Sequence, residues 1–361
     1  MNVQKNGTAA GAGLVLGAAV LWGTVGPAQV MADSPLGTVA LGGWRMLVGG
    51  VVLGALTARD RGRLRVLAAR SAWVPLLVCA LSTCLYQAAF LYSVSLTGAA
   101  LATVVALGTA PVTTGVCAWW FTGERVGASW LVSTGAATAG CALLLVPGGR
   151  PADALGLLLG VAAGACYGLY TVFAKRLAAD NPAVHLPTVS AVSLTAGAAM
   201  LLPWMVTDTA GLSDTRTLGL VAWLGLATTV AAYWLFSAGL TRMSATAVGT
   251  LSLAEPLAAA LLGVLVLGER LSATAVAGCV LMLIGLTAVS LPGVRRSSRR
   301  GAVVVTAGEG SSPGAHMGTL LARDVVGDDE VSWSPSGTGA GHAIGDAECL
   351  ADLHQDSVVV P

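Results

Sequence analysis

Charge is what this chain has least of. Asp, Glu, Lys and Arg make up 10% of its 361 residues, against about 25% in an average soluble domain. That shortage excludes an ordinary water-soluble globular protein. With 55% hydrophobic residues, 47 glycines and a mean hydropathy of +0.78, it indicates a membrane protein. The net charge of +1 points to no polyanionic partner, and nothing in residues 1–290 is built for nucleic acid. Metal and disulfide spacings are missing too. Cys79, Cys84, Cys117, Cys141, Cys166 and Cys279 lie in apolar runs, where cysteine acts as a small hydrophobe, and Cys349 lies near the C-terminus. The chain contains no HExxH, no Asp-rich metal motif and no Walker motif. No cofactor or metal is therefore expected, and an integral membrane enzyme is the weaker alternative reading. A permease subunit of an ATP-driven pump remains an alternative in which a partner supplies the ATPase. Alternating segments of about ten residues, the mark of a membrane β-barrel, are absent as well.

What is present is a series of long apolar runs. A helical span needs about 20 mostly apolar residues. Ten candidates fit, at roughly 9–31, 36–57, 72–94, 98–120, 127–146, 154–175, 186–206, 217–238, 244–267 and 272–291. Several are rich in Val and Thr. Their length still argues for helices, because a lipid-exposed backbone must satisfy its hydrogen bonds within the segment. The short connections predict a compact all-α bundle. The loops that share a side with both chain ends carry fourteen Lys and Arg, and the opposite loops carry only Arg150, Arg216 and Arg270. By the positive-inside rule both termini are expected in the cytoplasm, with the protein multi-pass in the cytoplasmic membrane. Residues 293–361 differ in composition. They start near "RRSSRR", continue through Gly, Ser and Pro, and hold nine of the eighteen acidic residues, so a disordered cytoplasmic tail is expected.

The apolar part repeats. Pro256 follows Pro111 by 145 residues, and the same offset carries Gly123-Glu124-Arg125 onto Gly268-Glu269-Arg270, Gly140 onto Gly285, Gly23 onto Gly168, Trp22 onto Tyr167 and Gly11 onto Gly156. The expected organisation is a first repeat over 1–146 and a second over 147–292. Each holds five spans. Five is odd, so the second copy enters the membrane from the other side. Ten transmembrane helices in two inverted five-helix repeats are the arrangement many secondary transporters use, and it favours alternating access over a fixed channel.

Several stretches carry a family resemblance. They are "LWGTVGPAQV" in the first span, Arg45 in "GGWRMLVGG", "TAP" and "TGER" around the fourth span, "SATAVGTLSLAEP" and "LGER" around the ninth, and "AGCVLMLIGLTAV" in the tenth. Over about residues 10–291 the chain resembles the drug/metabolite transporter superfamily, in the branch with two EamA-type repeats. The resemblance implies export or exchange of a small metabolite, often an amino acid or a relative, by alternating access. It does not name a substrate.

The candidate site follows from the polar residues stranded in apolar runs. Glu255 sits in "LSLAEPLAAALLG", where a charge costs about 3 kcal/mol on insertion scales. Its counterpart in the first repeat is Ala110. Such a group is suited to binding a substrate ammonium or to carrying a proton. The alternative is a structural salt bridge or hydrogen bond. Arg45 keeps its proton and needs partners. It is suited to a substrate carboxylate, or equally to a structural carboxylate or helix-end carbonyls. Pro111 and Pro256 are expected to interrupt the fourth and ninth helices and to line the site, the alternative being kinks that serve packing. Gln87, Trp22, Tyr86, Tyr167 and Trp234, with Tyr92 and Tyr170, fill out the candidate cavity. Glu124, Arg125, Glu269 and Arg270 stand at helix ends, either as gates or as local Glu–Arg pairs. Gly156, Gly160, Gly164 and Gly168 share one helix face, a surface suited to close packing. The expected partners are a small-molecule substrate and the bilayer, with monomer and homodimer both open.

Overall fold

The computed structural model describes residues 2–58, 67, 69–145, 153–268 and 270–290. The predicted C-terminal tail lies outside them, as does Glu269. The described residues are helical throughout, with no strand among them. Eight helical segments are long and apolar enough to cross a membrane, and two shorter apolar helices complete the set. Span 1 is Asn2–Gly23 continued by Val25–Ala32, span 2 Thr38–Ala58, span 3 Arg70–Thr97, span 4 Ala99–Thr122 and span 5 Ala128–Leu144. Span 6 is Ala154–Asp180 and span 7 Leu186–Thr207. Span 8 runs from Thr215 to Arg242, span 9 is Ala245–Leu251 continued by Ala254–Leu267, and span 10 is Ala273–Ser290. The protein is an all-α, ten-helix membrane protein built as two inverted repeats.

The repeat is visible in atomic contacts. A Cβ on Gly140 would fall 2.6 Å from the Met282 amide nitrogen, and one on Gly285 would fall 2.6 Å from the Ala137 amide nitrogen. Met282 is the 145-residue counterpart of Ala137, so spans 5 and 10 cross through one contact made twice. Spans 1 and 9 and spans 6 and 4 follow the same rule. A Cβ on Gly23 would sit 2.9 Å from the Ala259 nitrogen, and one on Gly168 would sit 2.7 Å from the Thr114 nitrogen. Glycine at these crossings lets backbones approach closely, which is how helices bind one another where lipid removes the hydrophobic drive. The four-glycine ladder of span 6 is used in this way. Gly164 and Gly168 abut Ala106, Thr109 and Thr113 of span 4, while Gly156 and Gly160 face Thr97 and Ser93 of span 3.

Three spans are irregular. Span 1 breaks at Thr24, whose hydroxyl donates to the Leu21 carbonyl at 2.7 Å. Span 8 widens into a π-turn at Leu226–Ala231, where the Thr228 and Thr229 hydroxyls both donate to the Leu224 carbonyl at 2.8 Å. Span 9 turns at Ser252 and Leu253 before a second helix begins at Ala254. The two prolines therefore differ from the symmetric pair of interruptions expected. Pro256 stands in the first turn of that second helix, where the missing N–H is no loss. Pro111 lies inside an unbroken helix and is buried.

Candidate functional site

A cavity of about 620 Å³ opens between the repeats. Its walls come from spans 1 to 6 and 8 to 9, with Leu271 ahead of span 10. Gln29, Thr38, Val94, Ala99, Leu145 and Leu271 mark one end of the bundle, and the cavity reaches all of them. At the opposite end a buried cluster running through Val15, Ala19, Leu177, Leu240, Val248 and Leu251 fills the space. The cavity is thus open at one end and stopped about halfway across.

Glu255 lines it. The break at Ser252–Leu253 puts Glu255 in the first turn of a new helix, whose N-terminal amides favour a negative charge. Its carboxylate takes part in no ion pair and no side-chain hydrogen bond with other described residues. Arg45, about two turns into span 2, lines the same cavity. Its Nε is buried without a hydrogen-bond partner. No ion pair joins Arg45 to Glu255, though both border this cavity. The cavity therefore presents one carboxylate and one guanidinium, neither of them in an ion pair among the described residues, in a largely apolar wall.

Aromatic rings surround this pair. Trp22 packs against Tyr233 at 5.7 Å and against Phe236 at 5.6 Å between ring centroids. Tyr167 meets Phe236 at 6.3 Å, and its hydroxyl shares a 2.6 Å hydrogen bond with Ser252 Oγ at the break of span 9. Tyr170 is tied by its hydroxyl to Ser190 at 2.8 Å. Tyr86 lies on span 3 with Phe90 stacked on it at 5.8 Å. Gln87, 7% exposed, packs its amide against Gly42, where any Cβ would fall 2.8 Å from Nε2.

Of the residues singled out from sequence, Glu255, Pro256, Arg45, Gln87, Trp22, Tyr86, Tyr167 and Tyr170 come together here. Pro111 does not line the cavity; its span contributes Ala99, Ala100, Thr103 and Leu107 instead. Trp234 is also elsewhere. It is 39% exposed and packs edge-on against His185 at 5.6 Å. Tyr92, 57% exposed, faces outward. Tyr233, Phe236, Ser82 and Thr83 line the cavity without having been marked. Tyr233 and its neighbour Trp234 point about 100° apart around the helix, and the π-turn just upstream shifts which face of span 8 meets the cavity.

Glu124 and Arg125 do not form a local pair. Arg125 is exposed, and Glu124 turns away from it to span 9. There Glu124 Oε1 accepts from the Ala245 amide at 3.1 Å, and Oε2 accepts from the Thr246 amide at 3.3 Å and the Thr246 hydroxyl at 3.2 Å. Arg270 is exposed at the open end.

An inverted-repeat bundle with a central, half-open, sparsely charged cavity is the architecture of a membrane transporter. The model of the EamA-like transporter family matches residues 9–146 and again 154–291, and the chain belongs to that family. It is 37% identical over 281 residues to a protein of Bacillus subtilis (strain 168) described as "Uncharacterized transporter YwfM", covering 76% of this chain and 92% of the relative. A solved structure described only as "Crystal structure of protein" superposes with a TM-score of 0.67 at 21% identity, over 80% of this chain and 98% of that one. At that identity the likeness concerns the fold.

Proposed function

We propose that the protein is a secondary transporter that exports or exchanges a small zwitterionic metabolite, an amino acid or a close relative, by alternating access. One observation carries this reading: Glu255 and Arg45 face the same cavity, and neither is in an ion pair among the described residues. A buried charge without a partner is costly, so the pair is best explained by a ligand that supplies both complements. An α-ammonium would meet Glu255 and the surrounding rings, through ion pairing and cation–π attraction. A carboxylate would meet the guanidinium fork of Arg45, with Gln87 close by. The same carboxylate at Glu255 suits proton coupling, since a proton and a substrate ammonium would compete for it. The cytoplasmic membrane and an inward orientation of both termini follow from the Lys and Arg distribution. On that orientation the open end faces outward and the end holding Lys175 and Glu124 faces the cytoplasm.

The test is counterflow. Cells overproducing the protein are first challenged with toxic amino-acid, nucleoside and sugar analogues, and rescue identifies the solute class. Purified protein in liposomes should then exchange labelled solute for unlabelled without ATP. A strict need for an ATPase partner, or rescue confined to sugars, would overturn the reading.

A further inference from the structure

The closed end is held by bonds that the cavity does not use. Spans 8 and 9 meet there in a hairpin around Met243 and Ser244. Lys175 of span 6 donates from Nζ to the Leu240 carbonyl at 2.8 Å and to the Met243 carbonyl at 2.7 Å. These carbonyls end span 8. Glu124, just beyond span 4, takes the first amides of span 9, Ala245 and Thr246, one on each carboxylate oxygen. A helix end leaves its last carbonyls and first amides without partners and with partial charge. A cation therefore holds the end of one helix and an anion holds the start of the next. Trp130 of span 5 adds a bond from Nε1 to the Thr246 carbonyl at 3.3 Å. Gly11 of span 1 packs on Met243 so closely that a Cβ there would fall 2.8 Å from its Cγ.

The same hairpin in the first repeat, between spans 3 and 4, stands at the open end. Its Gly98 makes no side-chain cap to span 4, Ala99 and Ala100 line the cavity, and the counterpart of Lys175 is Val30. One structural unit thus exists twice, and the copy at the shut end carries a lysine clamp where its counterpart at the open end has a valine.

We propose that Glu124 and Lys175 form a latch: they hold the span 8–9 hairpin against spans 4 and 6, keep that end of the cavity shut, and release it when the cavity opens there. The latch rests on the alternating-access reading. It goes beyond that reading in naming the residues that set the balance between the two states.

Cys166 provides the probe, because it is native and lines the cavity. Right-side-out and inside-out vesicles are treated with a membrane-impermeant thiol reagent, and the Cys166 peptide is quantified by mass spectrometry. In the wild type, labelling comes mainly from the open-end face. Glu124→Gln replaces one acceptor oxygen with a donor facing an amide, and Lys175→Met removes both bonds to the hairpin. Each should shift the ratio of labelling at least about tenfold toward the face carrying Lys175, the size expected from losing hydrogen bonds to a charged group. Lys175→Arg keeps the donors and should keep the wild-type ratio. A merely structural role would lower thermal stability or change labelling from both faces alike, and that outcome overturns the latch. Solute-dependent labelling of the wild type from both faces, with the ratio unchanged in both variants, overturns the latch and leaves alternating access standing. Labelling from the open face alone in every protein, with or without solute, overturns both.

Discussion

Glu255→Gln separates a binding carboxylate from a structural one. The wild-type carboxylate has no ion-pair or side-chain hydrogen-bond partner among the described residues, and it borders the cavity. The substitution therefore breaks no side-chain hydrogen bond or ion pair with another described residue. It removes a charge whose presence inside a span costs about 3 kcal/mol on insertion scales. Thermal stability in detergent should hold or rise. Solute binding should behave in the opposite way. A hydrogen bond to a charged group contributes about 1.5–3 kcal/mol, and 1.4 kcal/mol is about tenfold in affinity. The variant should bind its solute roughly ten- to a hundredfold more weakly and lose gradient-driven accumulation. Two measurements check this. A thermal-shift titration reads affinity from the stabilisation that ligand binding confers, and liposome uptake reads coupling. A structural carboxylate gives the reverse pattern, with stability lowered and affinity kept. That pattern, or normal gradient-driven transport, refutes the role assigned to Glu255.

Other substitutions test the surroundings of that residue. Gly140→Ala and Gly285→Ala each drive a methyl into the backbone of the opposing span, so each should cost about 1–3 kcal/mol by overpacking; thermal unfolding of the two variants should give closely similar losses, and no loss in either contradicts the shared crossing. Tyr233→Ala should weaken solute binding while Trp234→Ala leaves it unchanged, because only the first lines the cavity; equal effects in binding titrations would mean the face of span 8 is assigned wrongly. Tyr167→Phe removes the 2.6 Å bond to Ser252, worth about 1 kcal/mol. Since Ser252 lies three residues before Glu255, a several-fold fall in affinity is expected, and an unchanged titration would separate that bond from the site.

The scaffold was legible in the sequence because its constraints are local or repeated. Apolar length gives spans, and a constant offset gives the two halves. Glycine marks crossings such as Gly140 on Met282. Glu255 and Arg45 could be picked out because charge in an apolar run is rare enough to stand out. The face of each helix was not legible. Trp234 and Tyr233 are adjacent and chemically alike, and which of them reaches the cavity depends on a helix face that a π-turn upstream shifts. Pro111 and Pro256 align in the repeat, but a helix break four residues before Pro256 has no equivalent in span 4. Glu124 beside Arg125 suggested a local pair, and its true partners lie more than a hundred residues away.

Those failures share a cause that bears on how the molecule works. Residues that match across the offset are mechanical: the glycines at the crossings, and Trp22 with Tyr167 on the two sides of the cavity. The cavity chemistry sits where the halves differ. Glu255 stands against Ala110, Arg45 against Ser190, Gln87 against Ala232 and Tyr86 against Ala231, while Tyr233 stands against Ala88. A strictly symmetric pair of halves would present two copies of each charge to the cavity, and each copy would carry its own burial cost. Keeping one carboxylate and one guanidinium gives a single polarised site between two similar walls. Under the proposed alternating access the walls exchange conformations at nearly equal energy, because their packing is shared. The site itself stays between them and can meet one solute from either side. On that reading the proposed latch at Lys175 and Glu124 makes two nearly equivalent states unequal, which is why the balance between them, rather than the fold, is what its removal should change.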